Sequence, residues 1–458
     1  MREENKQQQS TLLVTSVTAF MAPFLISSIN VALPAIQEEF AADAVLLGWI
    51  ATAYLLATAL LLVPAGKYAD IYGRKKVFVS GIVVFTAGSL AALLAPDIGW
   101  FLATRVFQGF GAAMFITTGM AILTSVYPPE KRGKAIGVLV TAVYAGLSTG
   151  PFAGGFMTSF LGWRSIFMLM LLLGAGSLLV SLRFLQGEWA EARGERFDLA
   201  GSILYGLSIF LLVYGSTRMP GTDALLLTAA GLAGFVLFFH HQNKSRHPVF
   251  EVTLFRENRT FLFSSLAALI NYAATFAVTF QVSLYLQYIK GMTPQAAGTI
   301  LMAQPLVMMI FSTPAGRLSD RIQPRVIASA GMALTASGLA VFIFLNGGTP
   351  TWLITGNLVL LGFGFALFSS PNMSAIMGSV ARRQYGLASG TVATMRLIGQ
   401  MLSMSIATLF LSLFVGRVEI QPGNYPLFLQ SMRSCFMFFV FLCIIGTGFS
   451  LFRGRVNG

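Results

Sequence analysis

The sequence predicts an all-α polytopic membrane protein, with two six-helix halves and a two-helix insert, fourteen spans in all. Three observations lead there. Of 458 residues, 55% are hydrophobic and only 10% charged, against about 25% charged in a soluble domain. The apolar residues gather into runs of about 20, the length that crosses a bilayer. Glycine-rich segments of the first half then return in the second at a near-constant offset: Gly109-Phe110-Gly111 as Gly362-Phe363-Gly364, Gly133 and Gly137 as Gly386 and Gly390, and Gly146 as Gly399.

Taken in order, spans are expected near 12–36, 47–65, 77–96, 99–126, 133–158 and 165–182. The polar start, Met1 to Ser10, meets the first run with no small-residue cleavage site, which reads as an uncleaved span. A hydrophilic connector follows, Arg183 to Asp198, then a two-span insert near 199–217 and 224–239. The polar stretch His240 to Arg259 holds all three histidines, with neither cysteine nor a carboxylate cluster beside them. It reads as a solvated loop and not a metal site. Six further spans lie near 260–289, 294–315, 326–346, 350–378, 385–416 and 434–452. The organisation is therefore a first half at 1–186, connector and insert at 187–257, and a second half at 258–458. Cys435 and Cys443 lie in the last run and read as packing residues, and no cofactor is indicated.

The net charge of +13 could suggest nucleic acid, but its placement argues otherwise. Arg164, Arg218, Lys290, Arg417 and Arg433 fall on one side of the spans, and Arg105 and Arg396 inside them. Every other Lys and Arg falls on the opposite side. By the positive-inside rule that side is the cytoplasm, which places both termini there in a cell-membrane protein.

Four segments carry recognisable chemistry. Gly66-Lys67-Tyr68-Ala69-Asp70-Ile71-Tyr72-Gly73-Arg74-Lys75-Lys76 is expected to be a short loop between the second and third spans, with a degenerate copy at Gly316-Arg317-Leu318-Ser319-Asp320-Arg321. The fourth span carries Arg105-x2-Gln108-Gly109-x-Gly111. The fifth carries Gly146-x3-Gly150-Pro151-x2-Gly154-Gly155, where glycines admit a close neighbour and proline removes a donor. The first carries Ser27-Ser28-Ile29-Asn30-Val31-Ala32-Leu33-Pro34. Together they resemble the signatures of the major facilitator superfamily, and the fifth-span motif closely resembles that of its drug:proton antiporter branch with fourteen spans. The resemblance implies a transporter working by alternating access that exports amphipathic molecules, with a cytoplasmic gate at Gly66, Asp70, Gly73, Arg74, Asp320 and Arg321. The implied partners are a small amphipathic substrate, the bilayer, and protons as a candidate coupling ion, with no nucleic acid and a monomeric state.

One departure tempers it. That branch usually carries an aspartate five residues before the first-span asparagine, where this chain has Leu25, and no Asp or Glu falls inside any expected span. The polar groups left for a cavity are mostly neutral: Asn30, Gln108, Gln281, Tyr285, Tyr288, Gln304 and Gln400, with Arg105 and Arg396 supplying fixed positive charge. On an uninterrupted α-helix Gln281, Tyr285 and Tyr288 would share one face. Arg105 either faces a cavity or partner or snorkels to the outer surface. This pattern favours a second reading, a carrier of a lipid-like or anionic substrate with weak or no proton coupling. No G-x4-G-K-S/T loop is present, so active transport would draw on a gradient. An enzyme would need a clustered nucleophile, metal or acid/base set within a span, and the sequence shows none.

Overall fold

The structure is a computed structural model that describes residues 2–219, 221–250, 252–319, 321–380 and 384–453. Among these, fourteen helical stretches are long and apolar enough to cross a membrane. The first six are α1 (Arg2–Phe40), α2 (Ala44–Tyr72), α3 (Arg74–Leu93), α4 (Ile98–Val126), α5 (Pro129–Leu161) and α6 (Arg164–Phe184). The insert is α7 (Leu199–Thr217) and α8 (Thr222–Lys244), followed by the short α9 (Thr253–Glu257). The ninth span is α10 (Arg259–Thr275), α11 (Ala277–Leu284) and a π turn at Tyr285–Ile289; the tenth is α12 (Pro294–Leu301) and α13 (Ala303–Leu318). The last four are α14 (Pro324–Phe342), α15 (Thr351–Gly378), α16 (Tyr385–Phe414) and α17 (Tyr425–Phe452).

Several expectations are corrected here. The segment from Gly66 to Tyr72 is not a loop but the end of α2, and only Gly73, at φ 125°, separates it from α3. Helical hydrogen bonding simply continues past the apolar run, because nothing before Gly73 stops it. Gly66 therefore needs no special backbone freedom, and a Cβ there would find only Thr117, at 4.0 Å. The second copy behaves alike, since α13 runs through Gly316 to Leu318; Asp320 lies outside the described residues. His240 and His241 stand on α8 and not in a loop. The ninth and tenth spans are each interrupted. In the tenth, Pro305 has no N–H to offer the Leu301 carbonyl, and the helix restarts at Ala303.

The chain forms two compact units. Met1–Ala42, Trp49–Leu212 and Ala229–Phe250 make the first; Asp43–Gly48, Val213–Thr228 and Glu251–Gly458 make the second. Each insert helix is thus divided between them. Inside unit 1, α1 lies on α5 and α6, and α3 on α4 and α6. Inside unit 2 the same pattern returns: α10 on α16 and α17, and α14 on α15 and α17.

The repeated glycines explain why. A Cβ on Gly109 of α4 would stand 2.5 Å from the Tyr54 carbonyl of α2, and Gly362 of α15 meets the Gln304 carbonyl of α13 in the same way. Gly146 of α5 meets the Phe20 carbonyl of α1 at 2.5 Å, and Gly399 of α16 the Leu269 carbonyl of α10 at 2.5 Å. No residue with a side chain fits at such distances. Gly133, Gly137 and Gly390, which also repeat, would meet nothing within 4 Å. Both free cysteines, Cys435 and Cys443, are buried in α17.

Candidate functional site

The segment around Asp70 is held by its own unit. Arg74 donates from Nε to Asp70 Oδ1 at 2.7 Å, one helical turn back. Its other two nitrogens grip Glu191 of the connector as a fork, at 2.7 and 2.9 Å, and Nη1 also reaches Ser125 Oγ at 3.2 Å. Two backbone bonds fasten the connector alongside, from Arg74 N to Trp189 O at 2.8 Å and from Ala192 N to Asp70 O at 2.9 Å. Lys67 Nζ lies 2.6 Å from Glu195 Oε2, and Glu188 Oε1 accepts from the Lys75 amide at 2.8 Å. Gly73 is required twice over: its φ is left-handed, and a Cβ would press on Glu188.

Residues 186–195 therefore form a strap across the α2–α3 junction. Sequence reasoning missed Glu188, Glu191 and Glu195. Their only signal was the alternation of acids and bases in the connector, and the partners lie more than a hundred positions away. The Arg74 side chain is 9% exposed and the Glu191 side chain 69%, so solvent screens this pair to about 0.5–1 kcal/mol. The Lys67 ammonium holds the Glu195 carboxyl below its ordinary range, helped by His247 at 3.4 Å.

Beside the strap, Asp198 is nearly closed off at the start of α7. It accepts from Gly201 N at 2.8 Å and Gln242 Nε2 at 2.9 Å, and lies 3.0 Å from His241 Nε2. Burial pushes its pKa up, but these bonds together outweigh it and hold the carboxyl below its usual value. Two of the three histidines thus touch carboxylates that sequence distance had hidden. Among the described residues no group of His, Cys, Asp and Glu is assembled for a metal.

Deeper in unit 1, Arg105 and Gln108 are both 0% exposed. Arg105 does not snorkel: Nη1 donates to Gln108 Oε1 at 2.6 Å, Nε to the Ile50 carbonyl at 3.2 Å, and the guanidinium lies 4.6 Å from the centre of the Tyr54 ring. Gln108 passes the chain on to Ser89 Oγ at 2.9 Å. The two residues join α2, α3 and α4 and line no open cavity in this structure.

Also in unit 1, the glycine–proline face of α5 lies against α1. Ser28 Oγ donates to the Gly150 carbonyl at 2.9 Å, and a Cβ on Gly154 would stand 2.6 Å from Ser28 Cα. Pro151 and Gly155 are buried on the same helix, which runs through the proline without a break. Asn30, 2% exposed, lies on α1 half a turn beyond Ser28.

In unit 2 the candidates scatter. Gln281 is fully buried beside Cys435. Tyr285 is also fully buried and gives its hydroxyl to the Asn346 carbonyl at 2.6 Å. The π turn that begins at Tyr285 rotates Tyr288 away from the face an α-helix would give, and its ring lies 6.4 Å from Phe428. Gln304 is 8% exposed with Oε1 unpartnered. Arg396 and Gln400 are half-buried on α16, and Arg321 is exposed. No described residue forms an ion pair with Arg396.

Across all the long helices, every described acidic side chain stands in a terminal turn: Glu38 and Glu39 in α1, Asp70 in α2, Glu130 in α5 and Asp223 in α8. The interior of the spans carries arginine but no carboxylate.

Comparison with known proteins gives a consistent result. A family model described as Major Facilitator Superfamily matches residues 15–240 and 264–457. The chain is 32% identical over 410 residues to the multidrug resistance protein Stp of Mycobacterium tuberculosis, covering 88% of this chain and 75% of that one. It is 29% identical to the riboflavin transporter RibZ of Clostridioides difficile, over 89% and 88% of the two chains. It is 27% identical to the tetracenomycin C resistance and export protein of Streptomyces glaucescens, over 89% and 77%. Among solved structures, a bacterial homolog of the human lysosomal transporter Spinster aligns over 98% of this chain and 97% of its own, with a TM-score of 0.69 at 17% identity.

Proposed function

This chain belongs to the major facilitator superfamily of transporters, and from that premise we propose that it exports amphipathic small molecules by alternating access, with both termini and the Arg74 junction in the cytoplasm. The observation that carries the reading is the α1–α5 interface. Three glycines at one-turn spacing bring α5 onto the α1 backbone, as a helix needs when it must shift against its neighbour without unlocking side chains. Relatives named for multidrug resistance and for tetracenomycin export add weight to export. The strap gives Asp70 a place in gating, since it fixes the only break between α2 and α3.

A second reading, an anionic or lipid-like substrate with weak proton coupling, rests on a different observation. Arg396 is half-buried within a span without an ion-pair partner among the described residues. Arginine stays protonated at any working pH, so it contributes field and not proton exchange. Membrane carboxylates with raised pKa values are the usual proton carriers, and none lies in a described span interior.

Transport in proteoliposomes, with and without an imposed pH gradient, tests both readings. Alternating-access export predicts saturable movement of amphipathic compounds, and no movement of any compound in the panel would overturn it. The anionic reading predicts that Arg396→Ala weakens an acidic amphiphile more than a neutral one of similar size. Robust electroneutral proton exchange with a permanently charged cation would overturn that second reading. For sidedness, a cysteine at Ser245 should resist impermeant label from outside intact cells while one at Gly347 reacts. Labelling at Ser245 would reverse the topology.

A further inference from the structure

Unit 2 holds a buried cation, just past its last span, that the transport reading does not use. Arg453, just past the end of α17, is 1% exposed, so its guanidinium has given up water. Its Nη1 donates to Asn372 Oδ1 of α15 at 2.8 Å and reaches Ser264 Oγ of α10 at 3.5 Å. The orientation of Asn372 is fixed, because its Nδ2 donates to the Ser264 carbonyl at 3.1 Å. Among the described residues neither Nε nor Nη2 of Arg453 has an acceptor, and no carboxylate pairs with it. Those two nitrogens form the side edge of the guanidinium, the fork that takes two oxygens of one oxyanion.

The surroundings share one character. Arg325, at the start of α14, is near enough to act on Arg453 electrostatically. Ser329 and Ser450 bond each other at 2.8 Å between α14 and α17. Thr260, in the first turn of α10, donates to the Arg453 carbonyl at 3.0 Å. Burial and then Arg325 push the Arg453 pKa down to about 10, which still leaves it charged at neutral pH. An uncompensated buried charge is among the costliest features a fold can carry. Here the charge that acts on it among the described residues is a like one, Arg325.

We propose that the Nε–Nη2 edge of Arg453 is an anion site for a phosphate group. Two sources carry that chemistry, the headgroup of a phospholipid and free inorganic phosphate. On either, two oxygens meet the guanidinium fork. The site is independent of the exported substrate, so its test does not depend on transport.

The test uses the full-length protein, delipidated in detergent, with thermal unfolding followed at constant ionic strength. Sodium phosphate, dihexanoyl phosphatidylglycerol and a phosphate-free alkyl glucoside are titrated against a sodium chloride baseline. The proposal expects a saturable rise in melting temperature with a phosphate-bearing probe and none with the glucoside. A rise with inorganic phosphate identifies the free ion as sufficient; a rise only with the phospholipid identifies the headgroup. Arg453→Gln should weaken the response about tenfold or more. Asn372→Asp provides a second route should that variant fail to fold. It sets a carboxylate against Nη1 as an internal counter-ion, and should raise the ligand-free melting temperature while abolishing the response. No rise over chloride with either phosphate probe overturns the proposal, as does an undiminished response in Asn372→Asp.

Discussion

The α1–α5 contact in unit 1 and its counterpart in unit 2, α10 and α11 against α16, begin from the same plan and end differently. Each opens with a glycine under a carbonyl, Gly146 under Phe20 and Gly399 under Leu269. One turn further, unit 1 has Gly150 and unit 2 has Ser403. In unit 1, α1 runs unbroken beside Gly150, and Ser28 bonds across to it. In unit 2 the facing span keeps helical dihedrals through Phe276, but the Ala277 amide leaves the helical ladder and donates to Ser403 Oγ at 2.9 Å. A hydroxyl on one helix has replaced the Ala273 carbonyl, one turn back on the other, as the acceptor for that amide. The duplicated interface thus packs backbone on backbone where it keeps glycine, and exchanges a hydrogen bond where it acquires a serine.

The largest effect should come from filling the glycine side. Gly146→Leu has no room beneath the Phe20 carbonyl and is expected to abolish folded protein, as read by size-exclusion after detergent extraction. Gly146→Ala, with its Cβ at 2.5 Å, should cost about 1–3 kcal/mol through backbone displacement. A normal elution profile for the leucine variant would show that the close approach is not required.

Next comes the serine side. Ser403→Ala leaves the Ala277 amide buried without an acceptor, at a cost of about 1–3 kcal/mol. Hydrogen exchange at Ala277 should accelerate while amides in α1 stay unchanged. Equal acceleration on both sides would dissolve the distinction between the two interfaces.

A smaller effect is expected at the strap, which belongs to unit 1 alone among the described residues. Glu191→Gln should speed exchange at the Arg74 and Ala192 amides about two- to fivefold, the yield of one screened pair. The pH dependence has a definite sign. Glu195 and Asp198 have folded pKa values below their unfolded ones. Their contribution is present above the ordinary carboxylate range and is lost as pH falls through the lowered values. Protection of the strap amides should hold at neutral pH and disappear in acid. A strap that loosens instead on raising the pH would assign its hold to other groups.

The smallest effect is the control. Gly137→Ala, where a Cβ would meet nothing within 4 Å, should change thermal unfolding by no more than about 0.5 kcal/mol. A large loss there would mean that the repeated glycines act for some reason other than contact.

These contrasts show which parts of the molecule could be read in advance. The span count and the duplication were legible because a bilayer demands long apolar runs, and a buried close approach demands glycine; both leave local marks. Gly109, Gly146, Gly362 and Gly399 carried that signal correctly. The diverted amide of Ala277 carried none, because no proline or glycine marks it and its acceptor, Ser403, stands on another helix. The strap was hidden likewise: Glu191 and Arg74 declare nothing until folding brings them together. Arg105 was half legible, since its cost inside a span required a partner, while only the fold could show that Gln108, Ile50 and Tyr54 supply it. The Arg453 site was missed outright, because an arginine just past the last span reads as an ordinary topology signal.

The strap places the hold on the α2–α3 junction in a segment that crosses no membrane. A protease recognition sequence inserted near Gly194, between the grip of Glu191 and that of Glu195, would make that hold severable. Cleaving it in an assembled transporter would release one clamp while every helix kept its full length. A mechanical part of the fold could then be removed at a chosen moment, and the same molecules observed before and after the cut.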